Sequence, residues 1–212
     1  MTTNRRFARF NAGRSTSTGN PDTSPLTTHE VPEGGMCLSA FVVLTKAGSS
    51  GRVLLGRLNP DAGWDHIGAL DPERVEVHSR GWMIPSSHLL LKEPPQEAAK
   101  RILKEQLELE GVKLSEPAIV SETYTPRRFP DLPNYWDLQF IFRGELSMEK
   151  PPRAFAWKEL AFVDLGRTRK SEMARSHEDI LESAGFKFAE GSVPSESNPR
   201  KVMEPRTGLK LD

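Results

Sequence analysis

Residues 85–109 of this 212-residue chain read PSSHLLLKEPPQEAAKRILKEQLEL, and this stretch decides the fold. Pro94 and Pro95 open a helix, because proline is tolerated in the first helical turn. Apolar and long side chains then recur at helical spacing to about Leu109, and Gly111 follows as a C-terminal stop. The stretch therefore predicts a loop followed by an amphipathic helix.

Short apolar or alternating runs on both sides of this stretch predict strands. These runs are Leu38–Thr45, Arg52–Gly56, Trp82–Pro85, Ala118–Thr125, Trp136–Leu146 and Phe155–Asp164. A last helix is predicted over Ser171–Ala184, with Gly185 as its cap. Strands mixed with two helices on separate stretches favour an α/β sandwich over a bundle or a barrel.

Residues 85–109 resemble the Nudix box, the loop–helix–loop written G-x5-E-x7-R-E-U-x-E-E-x-G-U, where U is a bulky aliphatic residue. Glu93, Arg101, Leu103 and Glu105 fall on the E, the R, the U and the first paired E. The resemblance extends over nearly all of residues 36–186. It implies a Nudix-like α/β/α sandwich with a mixed β-sheet, in which Glu93 and Arg101 pair to brace the loop.

The box departs from the family pattern at its metal-binding positions. The resemblance implies that the glutamate after the Arg and the two paired glutamates bind a divalent metal, which bridges a diphosphate and activates water. Here these positions hold Ile102, Glu105 and Gln106, and the two box glycines are Ser87 and Glu108. The resemblance therefore implies Glu105 as the surviving metal ligand and the one candidate catalytic residue. Because Mg²⁺ and Mn²⁺ prefer several carboxylate oxygens, one carboxylate and a neutral amide are expected to bind them weakly.

Acids elsewhere offer two interpretations of the helix surface. Glu105 and Glu108, with Glu122 from the next strand, could form a displaced metal site. Alternatively, Glu97, Arg101 and Glu105 share a solvated face with ion pairs worth a few tenths of a kcal/mol each, about 0.3–0.5. We favour the solvated face.

The candidate ligand-binding residues cluster around the box and the following loop. They are Ser87, His88, Glu93, Arg101, Arg127, Arg128 and Trp136. His88 either contacts phosphate, acts as a base, or is a solvated spectator. Arg127 and Arg128 either clamp a phosphate through bidentate hydrogen bonds or form an exposed basic loop. Trp64 and Trp136 either stack on a nucleobase or pack against the core, which is the commoner role of tryptophans beside strands.

Composition limits the remaining function classes. The chain carries 29 basic and 29 acidic residues, so long-range attraction to nucleic acid or an anionic membrane is not expected of the whole chain. A single cysteine, Cys37, excludes an internal disulfide framework and a Cys-rich zinc site. No apolar run approaches the roughly 20 residues that span a bilayer. We expect a cytoplasmic protein with disordered polar tails at 1–33 and 189–212 around a domain at 34–188.

Three functions remain open from the sequence. The first is a Nudix-fold protein with a degenerate metal site, weak or absent hydrolysis, no cofactor, and a nucleotide-like ligand that it binds or senses. The second is an active pyrophosphohydrolase that uses Mg²⁺ or Mn²⁺ and a shifted acid set. The third is a protein- or RNA-interaction module, for which the basic residues before Asp22 would supply any nucleic-acid contact. The resemblance alone implies a homodimer, and we expect no membrane partner.

Overall fold

The computed structural model describes residues 9–10, 35–124 and 135–194. The strands are β1 (Arg9–Phe10), β2 (Met36–Lys46), β3 (Ser49–Leu58), β4 (Ser86–His88), β5 (Ala118–Tyr124), β6 (Tyr135–Leu146) and β7 (Trp157–Asp164). The α-helices are α1 (Trp64–Ile67), α2 (Pro72–His78), α3 (Pro95–Leu107) and α4 (His177–Ser183). Short 3₁₀ turns lie at Pro60–Ala62, Leu165–Arg167 and Lys170–Glu172.

The strands form one mixed sheet in the order β5-β6-β2-β3-β7, and both β1 and β4 also pair with β2. Strands β2 and β6 run parallel over their whole length, from Met36 opposite Trp136 to Lys46 opposite Leu146. The other strand pairs are antiparallel. Strand β2 is therefore the centre of the sheet and touches the box through β4.

Helices cover both faces of this sheet. Successive side chains of a strand point to opposite faces. Ala40 and Val42 of β2 accordingly share a buried cluster with residues of α1, α2 and α3, whereas Phe41 and Val43 share a second cluster with residues of α4. The predicted α/β/α sandwich with a mixed β-sheet is confirmed.

Two short helices that the sequence analysis did not predict form a covering segment, residues 59–80, between β3 and the box. Helix α2 begins where Asp71 accepts a hydrogen bond from the Arg74 backbone N–H at 2.9 Å, and Pro72 follows in the first turn. Trp64 and Val75 of this segment belong to the same buried cluster as α3. The Asp-Pro signal was present in the sequence, but each helix is too short to show a periodic pattern.

The two predicted helices end or begin elsewhere than expected. Helix α3 stops at Leu107 because Glu108 takes the left-handed cap position, with φ of 55°, so the stop precedes Gly111. Helix α4 begins only at His177, because Arg175 and Ser176 have φ of 57° and 55° and interrupt the helix predicted from Ser171.

The strand predicted at Trp82–Pro85 lies later in the chain than expected. Trp82 and Met83 form only isolated bridges, and the regular strand is β4 at Ser86–His88.

The predicted tails meet the domain at two described points. Arg9–Phe10 pairs with Met36 and Cys37, where the sequence analysis expected disorder. Ala189 donates its backbone N–H to the Thr168 carbonyl at 3.1 Å. The rest of the N-terminal tail and residues 195–212 lie outside the described residues, so the domain limits at 34–188 stay a prediction.

Candidate functional site

The box loop is held by a paired glutamate and arginine. Arg101 donates from Nε to Glu93 Oε1 at 2.7 Å and from Nη2 to Glu93 Oε2 at 2.8 Å. The two side chains are only 10% and 11% exposed, so this is a buried bidentate pair. Glu93 Oε2 also accepts the Leu90 backbone N–H at 2.8 Å, which closes the loop. The predicted pairing of Glu93 with Arg101 is confirmed.

The same arginine connects the loop to β4. Arg101 Nη2 donates to the His88 carbonyl at 3.0 Å, and Nη1 lies 3.4 Å from Ser87 Oγ. Ser87, Glu93 and Arg101, three of the candidate ligand-binding residues, therefore meet in one place, and His88 joins them through its backbone carbonyl. The expected ion pair between Glu97 and Arg101 was wrong, because Arg101 uses its guanidinium on the loop and Glu97 pairs with Lys100 at 2.8 Å.

The two substituted metal positions face the interior. Ile102 is 0% exposed and belongs to the apolar cluster beneath the covering segment. Gln106 is also 0% exposed. Its Oε1 accepts the Ser86 N–H at 3.1 Å, and its Nε2 donates to the carbonyls of Ile67 and Ser86, both at 2.8 Å. Gln106 thus ties α3 to β4 and to α1, and both ends of its amide are engaged.

The acids proposed as a displaced site point in different directions. Glu105 lies half-buried on α3, whereas Glu108 at the helix end accepts the Phe155 backbone N–H at 3.2 Å. Glu122 lies on the edge strand β5, opposite Asp137 of β6. The described part of the chain contains no group of three or more His, Cys, Asp or Glu residues able to hold a metal ion. At the three positions where the resemblance implies carboxylates, the chain has one carboxylate, a buried isoleucine and an amide that is already engaged, and this donor set does not fit a hard divalent cation.

A polar cluster lies on the α4-side face of the sheet, at the start of the parallel β2–β6 pair. We call Ser39, His88, Asp137 and Gln139 the sheet-face cluster. Ser39 Oγ donates to Asp137 Oδ1 at 2.7 Å and lies 3.2 Å from His88 Nδ1. Gln139 Nε2 lies 3.4 Å from Asp137 Oδ2. Burial raises the pKa of Asp137 to about 6, against the lowering effect of its hydrogen bonds to Ser39 and Gln139 and of the nearby Arg175.

His88 is the one member of this cluster that was predicted as a candidate from the sequence. Ser39 and Asp137 are buried polar residues within strands, and they are 98 positions apart in the chain. A signal existed only in β2, where Ser39 interrupts the apolar side that Phe41 and Val43 share. The matching side of β6 carries Gln139 and Arg143 as well as Asp137, so Asp137 does not stand out in the sequence. Only the parallel register of β2 and β6 shows that the two side chains meet.

The remaining candidates are placed separately. Trp136 lies half-buried on β6, and its Nε1 donates to Ser121 Oγ at 2.7 Å. Trp64 is buried and packs edge-to-face on Trp157 with ring centroids 4.9 Å apart, so it belongs to the core and not to a stacking site. Arg127 and Arg128 lie outside the described residues.

The buried histidine His177 has a structural role. Its Nδ1 accepts the Ile84 backbone N–H at 2.9 Å, and its ring packs edge-on against Phe41 with centroids 5.4 Å apart. Burial holds the pKa of His177 well below its ordinary value, helped by the nearby charges of Arg175 and His78. His177 is therefore a neutral core residue.

None of the helices in the described ranges has the length and apolar character needed to cross a membrane. No protein-family model matches the sequence. No curated protein matches it either.

Solved structures share the fold at low sequence identity. The dihydroneopterin triphosphate pyrophosphohydrolase of E. coli is 17% identical with a TM-score of 0.44, over 60% of this chain and 80% of that one. The MutT protein of Methanosarcina mazei is 13% identical with a TM-score of 0.47, over 70% and 91%. An Ap4A hydrolase of C. elegans is 14% identical with a TM-score of 0.40, over 71% and 87%. In its fold, this chain is similar to the Nudix hydrolases.

Proposed function

We propose that this protein binds a nucleotide-like phosphate-containing ligand and does not hydrolyse it by the metal-assisted route that the resemblance implies. The observation that carries the proposal is the burial of Ile102 and Gln106. These side chains hold the sheet, the helix and the covering segment together, and neither can turn outward to a metal without breaking those contacts.

The loss of hydrolysis follows from the chemistry of the donor set. A hard divalent cation that stabilises a diphosphate transition state needs several carboxylate oxygens. Ile102 supplies no ligand atom, and Gln106 supplies a neutral amide whose oxygen already accepts the Ser86 N–H. Glu105 alone compensates only one of the cation's two positive charges.

Ligand binding is supported by two separate features. The Glu93–Arg101 pair still fixes the box loop, and the sheet-face cluster, on the α4 side of the sheet, places a carboxylate, an amide, a hydroxyl and an imidazole close together. Buried polar groups of this kind fix the orientation of a small molecule when they converge on one site. The similar hydrolases named above act, by their names, on dihydroneopterin triphosphate and Ap4A. We extend this general ligand class to the present chain.

The test measures binding and turnover on the same samples. The full chain is mixed separately with Ap4A, dihydroneopterin triphosphate and ADP-ribose, with Mg²⁺, Mn²⁺ or a chelator. Calorimetry measures binding, and ³¹P NMR follows any new phosphate species. We expect binding of at least one compound without product, and no difference between Mg²⁺ and the chelator.

Two variants separate the competing outcomes. Glu105→Gln removes the surviving family carboxylate, and Glu97→Gln is the matched control on the same helix, because Glu97 is exposed and pairs with Lys100. Metal-dependent turnover that is lost in Glu105→Gln and kept in Glu97→Gln would overturn the proposal in favour of an active hydrolase. Absence of both binding and turnover would overturn it in favour of a protein- or RNA-interaction module. Sedimentation of the same samples tests the homodimer that the resemblance implies.

A further inference from the structure

Three side chains form a row across neighbouring backbone segments near the end of β3. We call Glu159, Arg57 and Trp82 the cross-strand row. Glu159 of β7 lies directly opposite Arg57 in the antiparallel β3–β7 pair. On the other side of β3, Gly56 forms a bridge with Met83, which places Trp82 beside Arg57. Because Trp82 belongs to the buried cluster on the α4 side, the register of the sheet fixes the row on that face.

Arg57 is held in this row without hydrogen bonds. Its guanidinium carbon lies 4.5 Å from the centroid of the Trp82 ring, which is a cation–π contact. Its Nε lies 3.6 Å from Glu159 Oε2, too far for a hydrogen bond. Of the residues that the structure describes, none forms a hydrogen bond with Nη1 or Nη2. Arg57 is therefore positioned by its neighbours while its fork of N–H donors stays unused.

The row is open to solvent. The side chains of Arg57 and Glu159 are 37% and 51% exposed. Nε is the one Arg57 nitrogen that is buried without a hydrogen bond, so the outer nitrogens Nη1 and Nη2 are accessible. A small molecule can therefore reach the outer edge of the guanidinium without any movement of the core.

Trp82 supplies a second unused donor. The indole Nε1 atoms of Trp64, Trp136 and Trp157 each donate a hydrogen bond to a protein oxygen. Within the described part of the chain, Nε1 of Trp82 has no such acceptor. A tryptophan that is only 8% exposed usually has a partner for its N–H group. The acceptor at Trp82 therefore has to come from water or from a ligand.

These two donors favour a phosphate-type anion over a carboxylate. The guanidinium lies above the indole ring, whereas the indole N–H lies in the plane of the ring, so the donors point in different directions. A tetrahedral phosphate presents oxygens in several directions, whereas a carboxylate presents two oxygens in one plane. A phosphate group also has a larger negative charge than Glu159, and an exposed ion pair such as Arg57–Glu159 is weak.

We propose that Arg57, held against Trp82, binds a phosphate-type anion, and that the charge of Glu159 opposes this binding. The anion is either a free phosphate or diphosphate, or a phosphate group of a larger molecule. Its contacts are hydrogen bonds from the outer guanidinium nitrogens and from the indole N–H.

The cross-strand row is separate from the sheet-face cluster. Ile84 lies between Trp82 and β4 in the chain, and it packs in one buried cluster with Ile180 and Leu181 of α4. Helix α4 therefore covers the sheet between the row and the cluster that contains His88. The inference consequently does not rest on the proposed function.

The test is a calorimetric titration of the full chain with inorganic pyrophosphate, at low salt and with a chelator. We expect saturable binding by the unmodified protein, and Arg57→Gln should raise Kd about tenfold or more. Arg52→Gln is the matched control, because it removes the same charge from an exposed position on the opposite face of β3. Its Kd should stay within about twofold of the original. Absence of pyrophosphate binding by the unmodified protein, or equal losses in the two variants, would overturn the proposal.

Two further variants separate recognition from simple charge attraction. Arg57→Lys keeps the charge but not the planar fork, so Kd should rise about fivefold or more. Glu159→Gln removes the opposing charge and should lower Kd about twofold, which a purely structural role of Arg57 would not produce. An Arg57→Lys protein that binds as tightly as the original, or a Glu159→Gln protein with unchanged Kd, would overturn the assigned roles. Urea unfolding of each variant shows that it is folded.

Competition experiments identify the source of the anion. Acetate at the same concentration should not displace pyrophosphate, and equal displacement would overturn the preference for phosphate over carboxylate. Displacement by Ap4A would support the site as one for a phosphate group of a nucleotide-like molecule. Pyrophosphate binding that Ap4A does not displace would support it as a site for a free anion. Because pyrophosphate carries no nucleoside, its titration gives the same result whether the proposed function holds or fails.

Discussion

The loop half and the helix half of the box differ in the kind of side chain that they bury. The loop half keeps a charged pair, Glu93 with Arg101, at about one-tenth exposure. The helix half places Ile102 and Gln106 where the resemblance implies metal-binding carboxylates, and both side chains are buried. The difference teaches that the charged pair supports the loop backbone, whereas the residues at two positions where the resemblance implies carboxylates are part of the buried core.

The largest effect is expected when a carboxylate is placed at a fully buried position of the helix half. Ile102→Glu should lower the free energy of unfolding by about 4 kcal/mol or more, because an unpaired carboxylate would enter an apolar cluster. Urea unfolding measures the loss. Ile102→Leu, which keeps the volume, should cost less than about 1.5 kcal/mol. An Ile102→Glu protein as stable as the original would show that this helix face opens to solvent.

The second prediction concerns the loop half. Glu93→Gln should cost about 3 kcal/mol, because it leaves the Arg101 guanidinium buried without its bidentate partner. Glu97→Gln is the matched control on α3: its pair with Lys100 is exposed, with side chains 55% and 68% accessible, and its loss should cost less than about 0.5 kcal/mol. If urea unfolding showed that both variants lose the same free energy of unfolding, the Glu93–Arg101 pair would not stabilise the loop.

The third prediction uses pH to compare the sheet-face cluster with the box. The pKa of Asp137 rises from 3.8 to about 6 on folding, so the folded state binds this proton more tightly than the unfolded state. Its stabilising contribution is therefore complete below about pH 4 and is lost as the pH rises through 6. Asp137→Asn does not titrate, so its stability relative to the original should rise by about 2 kcal/mol between pH 4 and pH 8.

Urea unfolding of both proteins at several pH values measures this difference. Glu122→Gln sharpens the test, because the charge of Glu122 contributes to the raised pKa of Asp137. Removing that charge should move the transition to lower pH. A stability difference that is independent of pH would contradict the burial of an ionisable Asp137.

The smallest expected effect is at the end of the box helix. Glu108 has φ of 55°, a conformation that glycine adopts without strain. Relief of this strain in Glu108→Gly should stabilise the protein by about 0.5–1 kcal/mol. The loss of the exposed hydrogen bond from the Phe155 N–H to Glu108 reduces this gain. Gly111→Ala, at φ of 71° with open space around it, should have the opposite sign. A destabilised Glu108→Gly protein would show that the contact with Phe155 outweighs the backbone strain.

Local parts of the structure were predictable from the sequence because their causes are close together in the chain. The box register predicted α3 and the pairing of Glu93 with Arg101, which are eight residues apart across one loop and two helical turns. Alternation of apolar residues predicted the long strands β2, β3, β6 and β7 within a few residues of their observed ends. The short helices of the covering segment were missed because four and seven residues are too few to show a period.

The sequence by itself determined the register of the Nudix-like box, the pairing of Glu93 with Arg101, and the presence of Ile102 and Gln106 where the resemblance implies carboxylates, since these follow from residue identity and spacing. Only the tertiary structure decided that the covering segment, residues 59–80, buries Ile102 and Gln106. It also decided that Ser39, His88 and Asp137 form one hydrogen-bonded chain. The physical reason is distance along the chain. The Ser39 contacts span 49 and 98 positions, and strand register, which no local pattern encodes, brings these side chains within hydrogen-bonding reach.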